Sequence, residues 1–423
     1  MSEFDVIAAL TTLAAAFAWV NQRFIRLPAT IGLMVISLVL SLALVALGRA
    51  GFTGADGFVE FVALIDFDEA VLHGMLGALL FAGALHVELD DLLRQKWVVA
   101  SLATIGVVTS TLVVGGLTWL LFGALGSQIP FAYCLLFGSI VSPTDPIAVG
   151  AILRRAGVPP TLLTKITGES LFNDGVGVVV FLLLLGVATG GEQSSVAGAI
   201  QLFAIEVLGG LAFGGVVGWV AYRMLRTVDH YSVEILVTLA VVTGGYAMAS
   251  HLHISGPLAM VVAGLLLGNR GRRLAMSEHG RERLDDFWEL ADEFLNAVLF
   301  VLMGVEVVVI ELNAPLLIAG ALVIPIVLFA RWVSVGIPIT LLRFVRGFTP
   351  HAVTILTWSG LKGGISIALA LSLPPGPHRP LVVTATYLVV CFSILVQGLT
   401  VQPVVERLLG SAAGEPAGGP DRL

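Results

Sequence analysis

Three carboxylates stand in stretches where nearly everything else is apolar: Asp145, Glu169 and Asp174. Holding an ion in hydrocarbon costs about 2.5–3.5 kcal/mol on insertion scales, so such residues read as functional and face the interior of a helix bundle. Asp174 closes the run Gly168-Glu169-Ser170-Leu171-Phe172-Asn173-Asp174. On a helix, Ser170 and Asp174 stand at i, i+4 and share a face, and Glu169 and Asn173 share the adjacent one. The Ser170 hydroxyl and the Asp174 carboxylate then point at one cavity and offer it oxygens, the ligand type that hard cations prefer. Burial favours a neutral carboxyl and a bound cation favours a carboxylate. One acid therefore holds either a proton or a monovalent cation, and that competition is the core of an exchange reaction. The alternative for Asp174 is a structural acid paired to a base.

Asp145 lies in Ser142-Pro143-Thr144-Asp145-Pro146. It has two readings: its carboxylate neutralises the positive end of a half-helix, or it takes part in ion binding. Thr144 adds a hydroxyl, and its carbonyl, in the interrupted stretch beside Pro146, is a further candidate ligand for a monovalent cation. Glu169 needs a partner, and Arg331, cationic at any pH, is the best one. A buried pair there would pin the helix of Asp174 and makes Glu169 structural. Lys362, in Ser359-Gly360-Leu361-Lys362-Gly363-Gly364, is the other embedded base, placed to compensate half-helix C-terminal ends and Asp145. His86 and Glu88 follow an apolar run and read as an interfacial polar edge; the sharper alternative is a pH-sensitive histidine near a cytoplasmic funnel.

The elements that position these groups must be membrane helices. Of 423 residues, 57% are hydrophobic and 12% charged, against about 25% charged in soluble domains. Residues 27–48 carry no charge, and a helix needs about 20 apolar residues to cross the hydrocarbon. Barrel strands would alternate with period two, and these runs are solidly apolar. The first run opens with Glu3 and Asp5 rather than a basic region, so it reads as a helix and not as a signal peptide. Thirteen spans are expected, near 4–20, 28–47, 70–88, 97–123, 130–154, 161–189, 196–222, 231–252, 255–268, 287–309, 314–342, 350–373 and 380–408. Segment 270–293 reads as a mixed-charge lead-in to the tenth. Residues 1–409 form one transmembrane domain, and 410–423 a short disordered cytoplasmic tail.

Basic residues fall in alternate loops. Arg23, Arg26, Arg94, Lys96, Arg154, Arg155, Lys165, Arg223, Arg226, Arg270, Arg272, Arg273, Arg281, Arg283, Arg343, Arg346, Arg407 and Arg422 lie on one side, and only Arg49 and Arg379 on the other. Bases mark the cytoplasm, so the N-terminus is expected outside and the C-terminus inside, in a plasma (bacterial inner) membrane. Spans five and twelve are interrupted by helix breakers and, lying seven spans apart, cross in opposite directions. That marks an inverted repeat, spans 1–6 against 8–13, with the substrate site at the two breaks. Cys134 and Cys391 sit in apolar runs, which speaks against disulfides or thiolate metal sites. No phosphate-cradling loop, zinc signature, nucleic-acid patch or cofactor motif is present.

These motifs resemble the electroneutral branch of the cation:proton antiporter superfamily, the NhaP-type and NHE-type sodium/proton exchangers, over about residues 4–408. The carrying parts are Ser142-Pro143-Thr144-Asp145-Pro146, Gly168 to Asp174, Arg331 with Ser334-Val335, and Trp358-Ser359-Gly360-Leu361-Lys362-Gly363-Gly364. The resemblance implies that Asp174 carries cation and proton, with Ser170 and the Thr144 carbonyl as ligands. It also implies that Asn173 and Asp145 support the crossing, that Glu169–Arg331 is a structural ion pair, and that the protein forms homodimers with a moving six-helix core. Asn173-Asp174, where the electrogenic branch has two aspartates, implies one-for-one exchange of Na⁺ or Li⁺ for H⁺. Two positions depart from the pattern: Ala82 stands where many relatives have a span-three Glu, and Lys362 where Arg is usual. A K⁺/H⁺ exchanger of the same fold is the nearest rival. A cation channel is another, and so is an intramembrane aspartyl protease, which would need Asp145 and Asp174 to share a proton and lacks its Gly-x-Gly-Asp signature.

Overall fold

The computed structural model describes residues 3–50, 65–189, 196–272, 275–308, 313–344 and 347–413, together with Val62 and Ile310. Helices make up the described elements, without a strand. In chain order we label them α1 (Phe4–Ile25), α2 (Ala29–Gly48), α3 (Phe67–Leu85), α4 (Lys96–Ala124), α5 (Phe131–Ile140), α6 (Pro146–Arg155), α7 (Pro160–Ala188), α8 (Ile200–Leu225), α9 (Tyr231–His251), α10 (Gly256–Leu266), α11 (Glu278–Val305), α12 (Ala314–Leu342), α13 (Ala352–Trp358), α14 (Gly364–Leu371) and α15 (Arg379–Gly410). Among the described residues, nine of these are long and apolar enough to cross a membrane. Each expected span falls on a helix or a pair of helix halves. Many exposed side chains are large and apolar, such as Phe329 and Trp332 on α12, as a surface bathed in lipid requires.

Polar residues set the helix starts. The Asp66 carboxylate accepts from the Glu69 amide at 3.3 Å and opens α3, and Ser277 accepts from the Gly280 amide at 3.2 Å and opens α11. Segment 278–293 is therefore continuous with the tenth span in one 28-residue helix, since nothing between them breaks it. Helix continues from α15 past Gly410 to Ala413, three residues into the segment expected to be disordered, and 414–423 lie outside the described residues. Arg273, Arg346 and Arg422 also fall outside them. Lys165 counts with the loop bases although it falls inside the expected span 161–189. It lies buried in α7 with Nζ 4.4 Å from the centre of the Phe348 ring, because α7 begins at Pro160 and carries Lys165 into the bundle.

The packing makes two sets of helices. In one, α4 lies on α5 and α12, and α12 on α15; in the other, α2 lies on α11, α8 on α10 and α10 on α3. Helix α7 touches both sets, and α14 touches α11 across the same seam. Close backbone approach is built in where the site needs it. A Cβ on Gly138 of α5 would strike the Thr111 carbonyl of α4, and one on Gly177 of α7 would strike the Pro143 ring.

Candidate ion-exchange site

Two helices break at the same place. Helix α5 ends at Ile140, α6 begins at Pro146, and Pro143 and Pro146 bar continuous helix between them. Helix α13 ends at Trp358 and α14 begins at Gly364. The two unwound stretches meet: the Asp145 amide donates to the Leu361 carbonyl at 2.8 Å. Each break supplies the charge that the other's half-helix end lacks. The Lys362 ammonium donates to the Ser142 and Pro143 carbonyls at 3.0 Å each, just beyond the C-terminal end of α5. The Asp145 carboxylate packs on Gly363, the residue that caps the N-terminal end of α14, where a Cβ would collide with it. Cation at the negative end and carboxylate at the positive end is the favourable assignment for both dipoles. Lysine in place of the usual arginine is accommodated here because two neighbouring carbonyls ask only for a compact charge with separate donors.

Helix α7 brings the acids past these breaks. Asp174 is buried and lines a cavity of ≈ 50 Å³ with Pro143, Thr144, Asp145, Gly363 and Ser366 among its walls. The rest of the lining is mainly apolar, including Leu79, Leu80, Leu171 and Leu299. That volume suits a few water-sized occupants. Ser170 differs from expectation. Its hydroxyl pairs with the Thr144 hydroxyl at 2.9 Å instead of lining the cavity beside Asp174. Asn173 holds Thr144 from two sides: its Nδ2 donates to Thr144 Oγ1 at 2.9 Å, and its Oδ1 accepts from the Thr144 amide at 3.3 Å. Thr144, between Ser170, Asn173 and the cavity, is thus the joint through which α7 grips the first break.

Glu169 points away from the cavity. Arg331 of α12 forms a two-pronged pair with it, through Nη1 to Oε1 and through Nη2 to Oε2 at 3.1 Å, and Nη2 also reaches the Leu356 carbonyl of α13 at 3.2 Å. All of this is buried. Gly360 is required beside it, because a Cβ there would strike the guanidinium. Sequence reasoning treated the glycines at 360 and 363 only as helix breakers. Their close approach to Arg331 and Asp145 was signalled by the density of glycine around Lys362, but the partners were not.

Ala82 does not reach the cavity. It is buried in a cluster with Ala259, Met260 and Trp288, and its neighbour Gly83 forms the wall instead. A one-residue step on a helix turns the side chain by about 100°, and this decides which of the pair faces the cavity. His86 is exposed at the end of α3 with Nδ1 2.9 Å from the Ala82 carbonyl, and Glu88 is exposed beyond it; neither lines the cavity. Among the described residues, no three His, Cys, Asp or Glu side chains form a metal-holding cluster.

Comparison with known proteins places this arrangement among transporters. The family described as sodium/hydrogen exchanger, transmembrane, matches residues 9–407. The chain is 48% identical over 422 residues to the Na(+)/H(+) antiporter NhaP of Pseudomonas aeruginosa, covering 97% of this chain and 98% of that one. It is 34% identical to the Na(+)/H(+) antiporter NhaH of Halobacillus aidingensis, covering 81% and 84%. The structure of the sodium proton antiporter MjNhaP1 from Methanocaldococcus jannaschii superimposes with a TM-score of 0.74 at 18% identity, covering 97% of this chain and all of that one, and shares its fold.

Proposed function

The chain belongs to the sodium/hydrogen exchanger family, and we propose that it exchanges Na⁺ for H⁺ at Asp174, one ion for one proton. It is a multi-pass membrane protein and a transporter rather than an enzyme. The observation that carries the reading is the position of Asp174. Its carboxylate faces a small cavity at the meeting of two broken helices, while the nearby bases Arg331 and Lys362 are engaged by Glu169 and by backbone carbonyls. An acid beside a permanent arginine partner would stay ionised and accept no proton near neutrality. The acid here exchanges its neutralising partner, proton or sodium, and only the neutralised form crosses cheaply.

Thr144, through its carbonyl and hydroxyl, supplies oxygens next to Asp174. Ser170 acts through Thr144, and Asn173 fixes Thr144 in place. Asp145 and Lys362 stabilise the breaks, and Glu169–Arg331 is structural. The basic loops support a cytoplasmic C-terminus, and the bacterial relatives support an inner membrane. The two breaks, in spans of opposite direction, support an inverted repeat, and the family resemblance supports a homodimer.

The test is proton movement in proteoliposomes driven in turn by Na⁺, Li⁺ and K⁺. Sodium and lithium should drive it well and potassium poorly, and Asp174→Asn should abolish it while leaving a folded protein. Retained sodium-driven proton movement in that variant would remove Asp174 from the role.

A further inference from the structure

Three of the helices that wall the Asp174 cavity lead outward to charges that the exchange site does not use. Val71 lines the cavity on α3, and Asp68 precedes it by three residues. Leu299 lines it on α11, and Glu306 follows by seven, the spacing of one helix face. Ser366 lines it on α14, and α14 ends at Leu371. There Arg379, the first residue of α15, donates through Nη2 to the Leu371 carbonyl at 2.7 Å, a cation at the negative end of a half-helix. Arg379 is within electrostatic reach of both Asp68 and Glu306, and these two acids are within reach of each other. On the orientation given above, the cluster covers the cavity on the side away from the cytoplasm.

The cluster straddles the seam between the two sets of helices. Arg379 belongs with α14 and α15, whereas Asp68 lies in the first turn of α3 and Glu306 directly follows α11. One turn inward from Glu306, the Tyr387 hydroxyl of α15 donates to the Met303 carbonyl of α11 at 2.7 Å, so the two helices meet at this level. The first turns of α3 pack on α14 beside them. Yet the charges across the seam are not locked together. Glu306 is only 5% exposed, and its Oε2 finds no hydrogen-bond partner; Arg379 Nε, also shielded from solvent, finds none either. Glu169 gives the contrast, a fixed acid with both carboxylate oxygens taken by Arg331. Buried polar atoms are rarely left unmet. An unmet acceptor and an unmet donor on opposite sides of a seam are what a contact that opens and closes leaves in one of its states.

We propose that Arg379, Asp68 and Glu306 form an outer gate. Their attraction holds the seam shut on the outer side of Asp174, and these charges must part before the cavity opens to the outside. The gate sets how often the protein faces outward and leaves the ligands at Asp174 untouched. The inference rests on the sodium exchange and the orientation given above. A simple cap on α14 would need Arg379 alone and would be indifferent to the two acids.

The experiment uses right-side-out and everted membrane vesicles, which offer sodium to opposite faces of the full-length protein. Weakening the gate raises the outward-facing fraction, and apparent affinity at the outer face follows that fraction. Glu306→Gln and Asp68→Asn should each lower the outer sodium KM by roughly threefold and should not lower the cytoplasmic one. A merely damaged protein would instead show a higher KM or a lower Vmax at both faces. Arg379→Gln should act in the same direction, and its combination with Glu306→Gln should do no more than either alone, because both remove one interaction. Labelling of Leu79→Cys, on the cavity wall, gives a second measurement in a chain carrying Cys134→Ala and Cys391→Ala. A membrane-impermeant thiol reagent added outside should react faster, by a similar factor, when Asp68→Asn is also present. An outer KM and an outer labelling rate that both stay unchanged, or equal changes at both faces, overturn the gate. Effects that multiply in the double variant reduce Arg379 to a cap and overturn it as well. A fall in KM confined to the cytoplasmic face overturns the outer placement. Failure of the parent protein to move protons with sodium would instead overturn the exchange reading.

Discussion

The Lys362 ammonium and the carbonyl of Pro143 lie 3.0 Å apart, joined by a hydrogen bond that ties the second broken helix to the first. The neighbouring Ser142 carbonyl takes a second ammonium hydrogen at the same distance. Lys362→Met should therefore leave both carbonyls and the end of α5 uncompensated in a buried place. Hydrogen bonds to charged groups contribute about 1.5–3 kcal/mol each, so a fall in detergent melting temperature of several degrees and a large loss of transport are expected. Lys362→Arg should retain much of both, since the charge stays. Equal damage from the two substitutions would show that length, and not charge, sets the fit.

Glu169 and Arg331 form the buried ion pair that holds α7 to α12. Removing one member strands the other's charge, which costs about 3–5 kcal/mol, while removing both need not. Arg331→Ala should thus melt lower than the double variant with Glu169→Ala. Simple addition of the two single losses would mean that the pair is not energetically coupled.

Charge balance predicts transport that ignores voltage. Asn173 occupies the position beside Asp174 and takes no second proton, so one charge enters for each that leaves. Sodium-driven proton movement in proteoliposomes clamped with valinomycin and potassium should keep its rate when the imposed potential is reversed. A rate that follows the potential would refute one-for-one exchange.

Competition at one carboxylate has a fixed sign with pH. Protons occupy the site that sodium needs, so the apparent sodium KM should rise as pH falls, approaching tenfold per unit where the acid is mostly protonated. Vmax at saturating sodium should change less than KM over the same range. A KM that is flat between pH 6 and about 8.5 would argue for separate proton and sodium sites.

Much of this protein was legible in its sequence because the membrane imposes strong and simple constraints. Apolar length marks the helices, and an acid such as Asp174 in an apolar run is too costly to be accidental. Prolines 143 and 146 and the glycines around Lys362 announced the two breaks, since no helix tolerates that density of breakers. The partner of Arg331 could be named as Glu169 because no acid lies near Arg331 along its own span.

Only the tertiary structure decided how those groups share their contacts. Helical spacing puts Ser170 and Asp174 on one face but does not say which meets the cavity; packing of Thr144 against α7 took the Ser170 hydroxyl. Nor does spacing say that Gly83 rather than Ala82 walls the path, or that Lys362 serves α5 while Asp145 serves α14. Such choices depend on the rotation and offset of helices far apart in the chain. A hydrophobic pattern fixes those to within a turn, and a hydrogen bond is decided by less than 1 Å.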